Sequence, residues 1–220
     1  MSKRFAIWTT GILVLAMTAA GAWAVGRVPG GSLIAVHFGL NGEPNGWAPA
    51  AVALFLIPAV AAIKWAVLAV VPKITPRGAN LDRSLAAYGT IWIAITVVLA
   101  LAQGLIIATA FGYRIPMGAI IPAMVGCLFT VIGNVLPKLR WNYVVGIRTP
   151  WTLADERVWD KTHRFGGRVM VLGGAIMLLA ALIPPYTPKP GLVAGVTGIV
   201  ILLTIGKSYL LWRGQEGTLP

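Results

Sequence analysis

Asp155, Asp160 and His163 lie close together in a stretch otherwise rich in arginine, lysine and tryptophan. Asp155, Trp159 and His163 fall at i, i+4 and i+8, one face of a helix, with Glu156 and Thr162 beside them. Carboxylates and an imidazole on one surface are the parts of a general acid–base site, which also needs a pocket that tunes their proton affinities. The surrounding sequence has no nucleophile elbow, no zinc-binding spacing and no phosphate-binding glycine loop. His37 and Glu43 are potential metal donors, but two donors without a ligand spacing are a thin basis for a site. The one cysteine, Cys127, excludes an intramolecular disulfide, and its apolar neighbours predict a small core residue. These residues point to a non-enzymatic protein without cofactor or metal. A membrane enzyme built around His163 with Asp155 or Asp160 is the catalytic alternative.

The elements that must position these residues are set by composition. Of 220 residues, 58% are hydrophobic and 11% charged, against about 25% charged in an ordinary soluble domain. A charge at the centre of a bilayer costs about 3 kcal/mol or more, so a lipid-facing surface sheds it. Six apolar runs stand out, at 5–25, 49–71, 85–111, 118–136, 169–183 and 192–212. A helix of about 20 residues crosses the hydrocarbon core, and only the fifth run is short, so it extends back through Phe165 and Gly166. In lipid the backbone must satisfy its own hydrogen bonds, which makes these runs helices. The fold class is an all-α membrane protein of about six transmembrane helices, with a short extracytoplasmic cap loop and a cytoplasmic amphipathic helix. Residues 1–72 form a first hairpin with the loop 26–48, residues 73–136 a second, and residues 137–220 a basic loop with the last hairpin.

The net charge is +12, and its distribution gives topology. One side receives Lys3, Arg4, Lys73, Arg77, Arg83, the seven basic residues of 137–168, Lys207 and Arg213; the other receives Arg27, Arg114 and Lys189. That is 14 against 3, which by the positive-inside rule puts both termini in the cytoplasm of a multi-pass cell (inner) membrane protein. Lys64 is left within a span, where it is expected to snorkel to the cytoplasmic end beside Trp65. Lys3, Arg4 and Ala22-Trp23-Ala24 also read as a secretory signal peptide, but the long apolar stretch favours a retained helix. Gln103 predicts a bond to a neighbouring helix, and Gly166, Gly167, Gly173 and Gly174 predict close helix packing. Pro58 and Pro122 each remove a backbone donor within a span, which membrane helices tolerate. A small transporter or lipid-handling protein is the functional alternative; Lys64, Gln103 and Asn134 are its thin polar basis, and no internal repeat supports it.

Two loops remain. In the outer one, residues 33–38 read as extended, Asn41-Gly42 and Asn45-Gly46 as turns, and Trp47 as an interface anchor. The whole is expected to cap the helix ends, with His37, Glu43 and Trp47 as contacts for an extracytoplasmic ligand. In the inner one, Pro150 forces Thr149 to be extended. Thr152 with Asp155 then reads as a capping box for a helix over 153–165, on which Asp160 and Arg164 pair. Seven basic residues stand against Asp155, Glu156 and Asp160, interleaved with Trp141, Trp151 and Trp159. Such a helix suits the anionic inner leaflet. Arg148, Trp151, Trp159, His163 and Arg164 also make a candidate docking surface for a protein, with no direct nucleic-acid binding.

Gly133-Asn134, Pro137-Lys138, Asn142, the run Gly146-Ile147-Arg148-Thr149-Pro150-Trp151-Thr152-Leu153, Val158-Trp159 and Thr162-His163-Arg164 occur in that order. This pattern resembles the SdpI family of membrane proteins. The outer stretch with Val36-His37-Phe38 and Asn41-Gly42-Glu43-Pro44-Asn45-Gly46-Trp47 is similar to the small domain that often precedes the SdpI region. The resemblance covers roughly residues 25–180. It implies immunity to a secreted peptide toxin that attacks the producer's membrane. It also implies a receptor role, in which toxin is met outside and a transcriptional repressor is held at the membrane inside.

Overall fold

The computed structural model describes residues 2–39, 42–183 and 191–216. Asn41 of the first expected turn and Lys189 of the outer charge set lie outside the described residues. Six helices are long and apolar enough to cross a membrane: α1 (Lys3–Val25), α2 (Ala50–Ile74), α4 (Leu85–Ala110), α5 (Met117–Val135), α7 (Glu156–Leu182) and α8 (Leu192–Glu216). Between α1 and α2 run two antiparallel strands, β1 (Leu33–Phe38) and β2 (Pro44–Pro49). Two short helices, α3 (Gly78–Asp82) and α6 (Pro150–Ala154), lie in the connections at the opposite end. The long helices are apolar nearly all round and leave side chains such as Trp8, Ile63 and Leu202 about two-thirds to three-quarters exposed (72, 66 and 73%). In water that surface would be costly; in lipid it is the solvated one. The protein is a multi-pass membrane protein.

The helices pack in two groups of three, α1 with α2 and α4, and α5 with α7 and α8, joined by α4 against α5. This divides the 73–136 hairpin between the groups. In the first group the core lies at both ends. Leu54, Ala53 and Ile106 gather under the strands, and Leu81, Tyr88 and Trp92 gather at the far end. Between them Gln103 donates from Nε2 to the carbonyl of Leu54 at 2.8 Å, the inter-helix bond its sequence position predicts. Lys64 does not snorkel. Its half-buried ammonium turns sideways onto α4, donating to the carbonyl of Trp92 at 3.3 Å and to the hydroxyl of Thr96. The acceptors within reach on α4 outweigh the path along the helix to the headgroups.

The second group is built on glycine. Cβ atoms added to Gly133 and Gly167 would each lie 2.6 Å from the other's carbonyl oxygen. Gly126 and Gly174 repeat the arrangement one heptad away, at 2.8 and 2.6 Å. Both pairs require that the backbones of α5 and α7 touch, the close approach that small residues permit in membranes. Cys127, next to Gly126, points away from this contact. It is exposed on a cleft between α4 and α5, not a core residue, because the glycine beside it takes the inward position.

Candidate functional site

The connection from α5 to α7 is densely hydrogen-bonded. A 3₁₀ turn at Leu136–Lys138 ends α5 and buries Leu139. Asn142, fully buried, then folds the chain around its side chain. Its oxygen accepts from the N–H groups of Val144 and Val145 at 2.7 and 2.9 Å, and its nitrogen donates to the carbonyls of Arg140 and Val145 at 2.7 and 3.2 Å. All four hydrogen-bonding positions of the amide are filled, so the turn carries its own polar partners into the interior. Gly146 follows with φ 128°, and a side chain there would strike the rings of His163 and Trp159.

Pro150 sits in the first turn of α6, with Thr149 extended before it. The capping box therefore closes one turn earlier than the sequence suggests. Thr149 is the cap and Thr152 its partner, not Thr152 with Asp155. Asp155 instead caps α7, accepting from Arg157 and Val158 at 2.6 and 3.0 Å. The expected helix over 153–165 thus begins at Glu156 and runs unbroken into the fifth span. It is amphipathic as expected, with Arg157, Lys161, Arg164 and Arg168 exposed on one side and Val158, Trp159, Thr162 and His163 buried on the other. Its apolar face packs on the protein rather than on lipid. Among the described residues Asp160 and Arg164 form no ion pair, while Arg157 approaches Asp155 at 4.0 Å.

His163 lies at the centre. A backbone N–H can only donate, so the 2.9 Å bond from Ile147 requires a lone pair on Nε2. Nδ1 is then the protonated nitrogen and donates to the Trp159 carbonyl at 2.8 Å. The neutral ring stacks on Trp159 at 3.9 Å, and the indole N–H reaches the Leu139 carbonyl at 2.8 Å. Both imidazole nitrogens are engaged by backbone, and neither meets Asp155 or Asp160. The acid–base grouping suggested by their spacing is not assembled.

The other inner candidates occupy the surface of this knot. Trp151 is half-buried with its ring against Tyr209 of α8 at 5.2 Å. Arg148 is exposed and donates to the Tyr143 carbonyl at 2.8 Å; Arg164 is exposed on α7. Several residues that hold the knot had no signal in the sequence. Asn80 donates to the Trp141 carbonyl, Ser84 accepts from the Arg140 N–H, and Thr149 donates to Ser208. Arg77, at φ 61°, lays its guanidinium over Trp141 at 3.3 Å and Tyr143 at 4.5 Å. Each partner lies dozens of residues away, beyond the reach of local spacing.

At the opposite end the strand expected over 33–38 is present and pairs with β2. Asn45-Gly46 is not a turn but part of β2, opposite a bulge at His37. A Cβ on Gly46 would sit 2.9 Å from that of His37, so the glycine serves strand pairing. His37 is exposed and bonds through Nδ1 to the Asn45 side chain. Among the described residues no three metal-ligating side chains come together. Ile34 buries against the ends of α1, α2 and α4, which makes the hairpin a cap. Beneath it a cavity of about 700 Å³ is bordered by Glu43, Trp47, Tyr113 and Arg114. A second, apolar hollow of about 510 Å³ shares Phe38, Gly42 and Met117 with it and opens between α5 and α8. Glu43 and Trp47 are brought together there; His37 is not among the residues bordering either space.

With this geometry in hand, three likenesses carry weight. Residues 138–208 match the family described as the SdpI/YfhL protein family. Residues 12–62, which hold the later part of α1, the hairpin and half of α2, match a domain of unknown function (DUF1648). The immunity protein SdpI of Bacillus subtilis (strain 168) is 30% identical over 111 residues, 50% of this chain and 52% of the relative. The match thus spans about half the length of that relative. No solved structure matches the chain.

Proposed function

We propose that this chain, which is similar to the SdpI/YfhL protein family over residues 138–208, gives immunity to a secreted, membrane-active peptide toxin. The observation that best supports this reading is the two-part space beneath the hairpin. A membrane-active peptide presents polar groups and an apolar segment together. The cavity at Glu43, Trp47, Tyr113 and Arg114 offers opposite charges and aromatic surface, and the adjoining hollow between α5 and α8 is apolar. Aromatic and arginine side chains are the usual anchors of such contacts. His37 completes the candidate contact set from the hairpin's exposed side. In this reading the hairpin end faces outward, and the basic end carries a second surface at Arg148, Trp151 and Arg164, held in place by Trp159 and His163. That surface is our candidate for holding a repressor at the membrane.

The test is survival. Cells expressing the chain, challenged with the membrane-active peptides of the producer's own culture medium, are expected to keep viability and membrane potential that control cells lose. Trp47→Ala with Arg114→Gln is expected to remove most of the protection while the protein stays in the membrane at normal abundance. Killing curves that coincide with and without the wild-type chain would sink the proposal.

A further inference from the structure

At the basic end of their contact, α5 and α7 leave a groove of about 660 Å³. Gly133 and Gly167 line it, where the two backbones touch and no side chain fills the space. Arg164 and Arg168, one turn apart on α7, border it on one side and Asn134 on the other. Both arginines are exposed, and among the described residues neither meets a carboxylate. Further along the same face, Leu172, Ile176 and Leu179 are 65, 52 and 62% exposed. The face therefore changes from paired guanidinium groups to an apolar track within one turn.

Depth gives this change its meaning. At about 1.5 Å per residue the helix from Arg168 to Leu182 is about 21 Å long, less than the ~30 Å of a hydrocarbon core. With the far end of α7 at the opposite boundary, the backbone of Arg168 lies inside the hydrocarbon core, and its long side chain reaches outward to the headgroups. A guanidinium there without a counter-charge is expensive, and Asp160, one turn before Arg164 on α7, pairs with neither arginine. The phosphates of a bilayer lie just outside the hydrocarbon boundary, within the reach of a snorkelling arginine, and the guanidinium fork matches phosphate oxygens.

We propose that this groove binds one anionic phospholipid of the leaflet at the basic end. Its phosphate lies between Arg164 and Arg168, its headgroup against the Asn134 amide, and an acyl chain along Leu172, Ile176 and Leu179. The occupant is a lipid rather than a protein segment because the charged and apolar halves are stacked along the membrane normal, as they are in a lipid. The site shares Arg164 with the proposed repressor surface, but it is independent of the toxin reading and stands or falls without it.

The full-length chain, purified in neutral detergent and supplied with equal phosphatidylglycerol and phosphatidylcholine, is to be examined by native mass spectrometry. Wild type is expected to retain phosphatidylglycerol preferentially. The preference should fall about fivefold for Arg164→Gln or Arg168→Gln alone and about thirtyfold for both. Arg164→Lys with Arg168→Lys should keep part of it, which guards against a glutamine pair that fails to fold. Arg140→Gln with Arg148→Gln, basic residues outside the groove, should keep all of it. An unchanged preference in the glutamine pair overturns the proposal, and so does an equal loss in the Arg140/Arg148 pair, which would mean a diffuse basic field. Displacement of the lipid by millimolar inorganic phosphate would overturn it in favour of a free-phosphate site. Displacement by an acidic peptide at equal concentration would overturn it in favour of protein docking.

Discussion

His163 shows how one residue can be legible in type and illegible in role. Its position on the face with Asp155 and Trp159 marks it, but its partner Ile147 arrives through the φ 128° bend at Gly146, which helical spacing does not encode. Removing the ring leaves the Ile147 N–H buried without an acceptor, a loss of about 1–3 kcal/mol by the usual cost of an orphaned buried donor. His163→Ala is therefore expected to loosen the loop, and trypsin cleavage after the exposed Arg140 and Arg148 should accelerate in detergent-solubilised protein. His163→Gln keeps an acceptor of similar reach and should be cleaved more slowly than the alanine variant. Equal cleavage in wild type and His163→Ala would mean that the ring does not hold the loop. Asn142 is less legible still. An asparagine two residues before a valine pair reads as a turn residue, and nothing local says that it is buried with every position of its amide filled.

At the scale of elements, hydropathy places the spans well because lipid imposes one rule on every segment. The apolar run at 85–111 and the helix Leu85–Ala110 differ by a residue. The fifth span departs furthest, since α7 begins at Glu156 and its first turns are amphipathic rather than apolar. Hydropathy marks where a helix is lipid-soluble, not where it starts. The glycines of α7 are legible as packing residues, whereas their register against Gly126 and Gly133 needs the structure. That register carries a prediction. Gly133→Val or Gly167→Val places carbon against a backbone carbonyl and is expected to destabilise the α5–α7 pair by about 1–3 kcal/mol, the usual range for overpacking. Gly104→Ala and Gly206→Ala, where nothing lies within 4 Å of an added Cβ, should be neutral or gain up to about 1 kcal/mol of helix propensity. Thermal unfolding followed by circular dichroism would separate the two sets; equal midpoints would show that the glycine contact is dispensable.

At the scale of the molecule, the remaining question is which way the two three-helix groups face. Consecutive spans alternate in direction, as shown by contacts between the start of α1 and the end of α2 (Trp65 to the Ile7 carbonyl) and between the end of α1 and that of α4 (Trp23 on Phe111). Six crossings put both termini on one side. That side holds the knot, α3 and the basic turns, while the hairpin end holds Arg27 and Arg114. Lysine and arginine near span ends resist translocation, and on this asymmetry we propose that the hairpin lies outside. Single cysteines test this directly once Cys127, which faces outward from the helix pair, is replaced by alanine. Gly30→Cys, just before β1, is expected to react with a membrane-impermeant maleimide in intact cells. Arg140→Cys, in the knot, should react only after permeabilisation. The opposite pattern would invert the molecule and place the cavity of Glu43 and Arg114 in the cytoplasm, where no secreted peptide would meet it. The toxin reading would then fall, while the lipid groove at Arg164 and Arg168 would only change leaflets.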